Sequence, residues 1–204
     1  MNNSIGRTRS DAASLTIVEP ELTAADRAAL LTLARRAIEA ALGGCPPPQV
    51  PDGPGVGLRR GAFVTLQEAA THDLRGCIGH IHGDQPLGEV VRQVAVSAAR
   101  NDPRFPPVEP EELDALQIEI SVLSEPVLVP AAALPGIVLG RDGVLVRHGR
   151  AQALLLPQVA TDQGFNRDAF LDAVCRKAGL PAGSWREPGG ATQVFTFTAD
   201  IFAE

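Results

Sequence analysis

Two β-rich runs, Arg60–Gln67 (RGAFVTLQ) and Leu74–Ile81 (LRGCIGHI), are separated by a short polar stretch around Thr71–Asp73. A connection this short joins antiparallel strands, because a parallel return needs a dozen or more residues. The pair reads as a hairpin. A helical pattern follows over 86–100, with Leu87, Val90, Val91, Val94 and Ala98 at steps of three and four. Its proline stands at the start, where a missing N–H costs least. Hairpins interspersed with helices, rather than a strict βα alternation, predict an α+β fold with a mostly antiparallel sheet and flanking helices.

The remaining chain fits that frame. Residues 1–20 are polar and irregular and read as a disordered tail, leaving 21–204 as a single domain. Thr23 with Asp26 three residues on marks a helix start, and Gly43–Gly44 marks its end, which predicts a helix over 24–42. The segment 45–55 holds five prolines and reads as a loop. A short helical turn is expected over 110–115, a strand over 116–126 and irregular chain over 127–136. Two strands around a His148–Gly149 turn are expected over 143–157. Asn166 caps a helix over 166–179, in which Asp172 and Arg176 are spaced to pair, and a last strand covers 191–202.

Composition narrows the class. Eighteen Lys+Arg against 24 Asp+Glu give a net charge of −6, a poor basis for nucleic-acid binding. No apolar run is long enough to span a membrane, and no secretory leader is visible. The three cysteines, 45, 77 and 175, include no CxxC, so neither a disulfide framework nor a four-cysteine zinc site is expected. Free thiols fit a reducing cytoplasm. No phosphate loop and no dinucleotide fingerprint occurs, and no cofactor is indicated.

The chemistry concentrates in LRGCIGHI. Glycines weaken a strand, so Gly76 and Gly79 point to close backbone approach, a bulge or a ligand floor. Alternation places Arg75 and Cys77 on one face, where the guanidinium would favour the thiolate and make Cys77 a nucleophile. The competing reading is a small buried hydrophobe. One bulge would reverse the parity. His80 and His82 share a strand face, but no third ligand has suitable spacing, so no metal site is assigned. A dyad of Cys77 with a histidine stays open. Asp102 and Arg104, in DPRF, read chiefly as an ion-paired corner. If Glu119 faces inward it needs a partner, and Arg75 or Arg104 would serve. Gln158, directly after an apolar strand, would orient a ligand or satisfy backbone groups.

Taken in order, GAFVTLQ, LRGCIG, AARNDPRFPPV, IEISVLSEP, LLLPQVA and FLDAVCRKAGL, followed by Trp185, resemble the AMMECR domain family, called AmmeMemoRadiSam system protein A in prokaryotes. The resemblance covers roughly residues 24–203. One departure is Gly164-Phe165-Asn166, where the family commonly has Gly-Trp. The resemblance implies two lobes, a larger one from both chain ends and a smaller one from the middle, with a cleft near LRGCIG. It carries over Arg75, Gly76, Cys77, Gly79, Asp102, Arg104, Phe105, Glu119 and Gln158 as motif residues. It implies a Memo-like protein and a radical S-adenosylmethionine enzyme as partners, and it implies no reaction. The chain itself lacks the CxxxCxxC cluster motif of the radical enzyme. The expected role is an accessory or substrate-handling component whose cleft holds a small molecule or a partner segment. The alternatives are a cysteine-dependent enzyme, with Cys77 as nucleophile, Arg75 as its stabiliser and Glu119 handling protons, and a pure scaffold.

Overall fold

The computed structural model describes residues 21–186 and 191–204; the expected tail over 1–20 lies outside the described residues. The chain is α+β, as the order of periodicities predicts. Its strands form two four-stranded antiparallel sheets.

The first sheet comprises β1 (Ala62–Glu68), β2 (Leu74–His80), β3 (Leu116–Leu123) and β8 (Ala199–Ala203), in the order β2-β1-β3-β8. One of its faces carries Val64, Leu66, Ile118 and Ile120, all fully buried. Two helices cover that face, α1 (Ala24–Leu42) and α2 (Leu87–Arg100). At α1 the predicted start is a full capping box: Asp26 N–H donates to Thr23 Oγ1 at 3.1 Å and Thr23 N–H donates to the Asp26 carboxylate at 3.0 Å. The first turn of α2 has no side-chain cap. Its N–H groups are satisfied by loop carbonyls instead, Leu87 to Leu58 at 2.7 Å and Gly88 to Val56 at 2.9 Å. Burying Leu87, Val90, Val91 and Val94 stabilises the docking of α2 by about 1.5–3 kcal/mol for each fully covered side chain.

The second sheet has the order β4-β7-β5-β6, from β4 (Val127–Leu128), β5 (Gly143–His148), β6 (Ala151–Leu155) and β7 (Thr192–Phe197). The helices α3 (Pro157–Asp162) and α4 (Arg167–Lys177) follow β6. Phe170, Leu171, Val174 and Cys175 of α4 pack on Val144 and Val146 of β5. A third apolar cluster joins the sheets: Phe63 and Leu123 meet Leu145, Leu154 and Phe197.

Four expectations are corrected here. The run 191–202 is not one strand. It breaks at Thr198, with β7 in the second sheet and β8 in the first. The strand expected over 116–126 ends at Leu123 as β3, and β4 follows within 127–136, which was expected to be irregular. The two crossing chains are tied together there, since Ser124 N–H donates to the Thr198 carbonyl and Thr198 N–H to Ser124 Oγ, both at 2.9 Å. Pro157 does not merely end a strand but opens α3, with its fixed φ suited to a first helical position. Finally, Asp172 does not pair with Arg176. It accepts from Trp185 Nε1 at 2.7 Å, Gly183 N–H at 2.9 Å and Arg186 at 3.3 Å, which holds the segment after α4 against that helix.

Candidate functional site

The face of the first sheet turned away from α1 and α2 holds the chemistry. In register, Cys77 of β2 pairs with Thr65 of β1, and Thr65 pairs with Glu119 of β3. Side chains alternate across a strand, so these three polar groups form one row opposite the Val64–Ile118 face. Farther along the same face, buried Leu123 and partly buried Phe63 pack against the second sheet. Over the row itself come groups from α3 and α4: Gln158 beside Glu119, Asp162 in electrostatic reach of Glu119, and Lys177 in electrostatic reach of Cys77 and Arg104.

Cys77 is half-buried. Its sulfur accepts from Thr65 Oγ1 at 3.2 Å. Because β2 is an edge strand, its outward N–H and C=O groups have no strand to pair with. The DPRF corner takes that place. Cys77 N–H donates to Asp102 Oδ2 at 2.8 Å, and Arg104 Nη2 reaches the Cys77 carbonyl at 3.4 Å. Asp102 also accepts from Arg104 through Nε at 2.9 Å, Nη2 at 2.6 Å and the backbone N–H at 3.1 Å. Hydrogen bonds from Arg104, followed by that from Cys77 N–H, hold the Asp102 carboxyl well below the usual carboxylate range, against the opposing effect of burial. Phe105 lies under the guanidinium, its ring centroid 5.4 Å from Arg104 Cζ.

Arg75 is the main correction. A bulge between Leu66 and Gln67 sets Leu74 opposite Gln67 and Gly76 opposite Leu66, which leaves Arg75 outside the regular alternation. Its guanidinium grips Glu112 at 3.1 and 3.0 Å and the carbonyls of Pro106 at 2.9 Å and Pro107 at 3.3 Å. The expected activation of the thiol by Arg75 is therefore absent. Burial pushes the Cys77 thiol up; the Thr65 hydrogen bond and the charges of Arg104 and Lys177 oppose that only in part. Nor do Arg75 or Arg104 serve Glu119. Burial and then Asp162 push the Glu119 carboxyl up, while the adjacent Gln158 amide pulls it down. Lys177 keeps accessible surface at the rim, yet the surrounding protein lowers its pKa by desolvation; the thiolate form of Cys77 acts the other way.

The motif glycines have packing reasons. A Cβ on Gly76 would lie 2.3 Å from the Ala98 carbonyl of α2, so only glycine lets the helix sit on β2. On Gly79 it would lie 2.2 Å from the Phe63 ring. His80 and His82 border a shallow depression with Asp84 and Gln152, and among the described residues no three His, Cys, Asp or Glu side chains converge as metal ligands. A cavity of about 380 Å³ opens beside Ser124 and Thr198, lined also by Arg27 and Asp200, and shares none of the row residues. Thr65 and Lys177 were not singled out by sequence reasoning. Thr65 had a signal, its place in β1 across the hairpin from Cys77. Lys177 had none, since a lysine in the last turn of a helix is ordinary.

These features define a two-sheet α+β protein with a polar row set on an otherwise packed sheet face. The AMMECR1 family model matches residues 31–202, and the chain belongs to that family. It is 41% identical over 199 residues to a protein of Thermofilum pendens, covering 90% of this chain and 92% of that one. It is 46% identical over 181 residues to a protein of Methanothermobacter thermautotrophicus, covering 86% and 92% respectively. The crystal structure of the uncharacterized protein PH0010 from Pyrococcus horikoshii superposes with a TM-score of 0.80 at 42% identity, over 86% of this chain and 89% of that one.

Proposed function

We propose that the protein is an accessory or substrate-handling component of a multi-protein modification system that includes a Memo-like protein and a radical S-adenosylmethionine enzyme. The two sheets act as two lobes, and the row Cys77–Thr65–Glu119 is the floor of the cleft between them. The observation that carries a ligand-holding role is a buried polar group left unpaired over that row. Gln158 Oε1 is buried without a hydrogen-bond partner. A packing-only surface has no need of it. A scaffold role accounts for Gly76, Gly79 and the Arg75–Glu112 pair, and it leaves Gln158 unexplained.

Lys177 favours a second reading, a cysteine-dependent enzyme. An amine in electrostatic reach of Cys77, with its pKa lowered by desolvation, is suited to take the thiol proton. The first reading is favoured because burial raises the thiol and the Arg75 charge is spent elsewhere. The test measures alkylation of each cysteine by mass spectrometry, for the chain alone and mixed with the Memo-like and radical enzymes of its own organism. Partner-dependent slowing at Cys77, with Cys45 unchanged, is the expected result. Unchanged Cys77 rates together with no co-elution of the three proteins would sink the accessory role.

A further inference from the structure

The two edges of the first sheet are finished differently. At β2 the outward backbone groups of Cys77 are taken up by Asp102 and Arg104. At β8 the outward groups are left open, and the ladder fixes which they are. Ser124 N–H donates to the Thr198 carbonyl and Glu204 N–H to the Ile118 carbonyl, so the even-numbered residues of β3 turn their backbone groups toward β8. Register pairs Ile120 with Phe202 and Val122 with Asp200. The alternation of an antiparallel ladder then turns the N–H and C=O groups of Ala199, Ile201 and Ala203 outward. None of them has a partner among the described residues. Edge strands are commonly blunted by a lysine, a proline, a bulge or a covering loop. The sequence of β8, ADIFA, holds no lysine and no proline, and its register on β3 is unbroken. Its one charge, Asp200, is bound to Arg27 of α1 at 2.9 Å. On the opposite face Ile201 is 38% exposed. Open donors and acceptors beside an exposed isoleucine are a template for a further strand.

We propose that β8 pairs antiparallel with β8 of a second copy of this chain, about a two-fold axis at Ile201, so that the two first sheets join into one. The pattern of the strand itself argues for a second copy. Centred on Ile201, the register uses the whole of Ala199–Ala203 and sets Ala199 opposite Ala203 on both sides of the axis. Every outward residue then stands in a hydrogen-bonded pair and exchanges both of its bonds. The two isoleucines meet at the axis with only alanines flanking them on that face, so no bulky side chain opposes the approach. Charge agrees with the same register. Asp200 of the second copy comes directly opposite Phe202, and directly opposite residues are in side-chain contact. Arg27 already lies over the Phe202 ring, 5.9 Å from its centroid. Its partly exposed guanidinium is thus set between two carboxylates, its own Asp200 and that of the second copy, and the axis repeats the arrangement. A pairing this short buries less than a standard interface, so the dimer is a weak one.

The experiment is sedimentation equilibrium of the full chain from about 1 µM to about 1 mM, the range in which weak pairing is read. The mass is expected to rise toward that of two chains. Ile201→Pro removes the central outward donor and leaves the ladder on β3 whole, as proline does on the outer side of an edge strand. It should weaken association by about tenfold or more, and so should Ile201→Lys, which sets a charge against its own copy. Arg27→Gln should weaken it by about threefold to tenfold and reduce its dependence on salt. Melting curves show that each variant is folded. Cross-linking gives a readout that needs no loss of function. In a Cys45→Ser background, Ile201→Cys should be joined into dimers by a short bis-maleimide, whereas Val127→Cys, exposed on the second sheet, should not. A chain that stays monomeric throughout overturns the proposal, as does association that both Ile201 variants leave unchanged, or equal cross-linking at positions 201 and 127. A complex with the Memo-like protein that Ile201→Pro abolishes, while the chain alone is monomeric, would assign the edge to that protein and overturn the proposal as well.

Discussion

Two arginine–carboxylate pairs clamp the same edge strand, β2, and they do different things. Arg75 reaches from the strand to Glu112, and its other contacts are the carbonyls of Pro106 and Pro107. The Arg75 side chain is only 11% exposed, but nothing in this clamp touches the Cys77 row. In the Asp102–Arg104 pair the buried member is the acid, with a side chain 2% exposed behind the Arg104 guanidinium. It accepts four hydrogen bonds, one of them from the Cys77 backbone. The first clamp fixes where the strand end lies. The second replaces a missing neighbouring strand at Cys77 itself, so the geometry of the thiol depends on it. A motif arginine beside a motif cysteine is thus the structural one, and the arginine 29 positions downstream of Arg75 is the one that acts on the thiol.

The largest effect should come from Asp102→Ala. It strands the Cys77 N–H and removes the counter-charge of Arg104. The cost is about 2–3 kcal/mol, below the range for a fully buried pair because Arg104 is half-exposed. At about 2–4 °C per kcal/mol for a chain of this size, thermal melting should fall by roughly 4–12 °C. The pH dependence separates this from a packing defect. Asp102 titrates lower in the folded protein than in the unfolded chain, so its contribution is present above the unfolded carboxylate range and is lost as pH falls toward the folded value. The native protein should therefore lose more stability than the variant between pH 5 and about pH 3, measured by urea melts across that window. Parallel curves would mean that Asp102 contributes no linked charge.

Arg75→Gln should cost less, about 1–2 kcal/mol, because Glu112 stays in contact with solvent when its partner is lost. The sharper expectation is a contrast: alkylation of Cys77 should keep its rate and pH profile in Arg75→Gln, and change both in Asp102→Ala. An altered Cys77 profile in Arg75→Gln would return the arginine to the thiol.

Much of the frame was legible in the sequence because it rests on local signals. The Thr23–Asp26 pair fixed the start of α1, and the apolar period of 86–100 fixed α2 and its buried face. The hairpin of β1 and β2 followed from a short polar connection. What was not legible depends on events that leave periodicity intact. β7 and β8 alternate continuously through Thr198, so the passage from one sheet to the other has no mark in composition. The bulge at Arg75 shifts parity by one residue, and the neighbouring Gly76 signals a bulge no more than it signals the close approach of α2. Among the residues singled out, Asp102 and Arg104 form the ion-paired corner that was expected, whereas the arginine expected beside Glu119 is not there. Glu119 meets Gln158 instead of an arginine because α3 begins at Pro157, a residue that reads equally well as the end of β6.

The smallest and most specific expectation concerns Thr65. Arg75 was expected to lower the thiol pKa of Cys77; with that charge bound to Glu112, burial dominates and the thiol is raised. Alkylation of Cys77 in the native protein should then titrate above that of an ordinary cysteine, with exposed Cys45 reacting faster throughout and buried Cys175 slowest. Thr65→Val keeps the β-branched shape and removes the hydrogen bond that favours the thiolate. Its alkylation midpoint should move higher still, with little change in melting. This variant distinguishes a hydrogen bond that tunes the thiol from one that merely fills a sheet position. A midpoint that does not move, or that falls, would show that the hydroxyl contributes nothing to thiolate stability, and Arg104 and Lys177 would then be the groups that favour the thiolate against burial and Asp102.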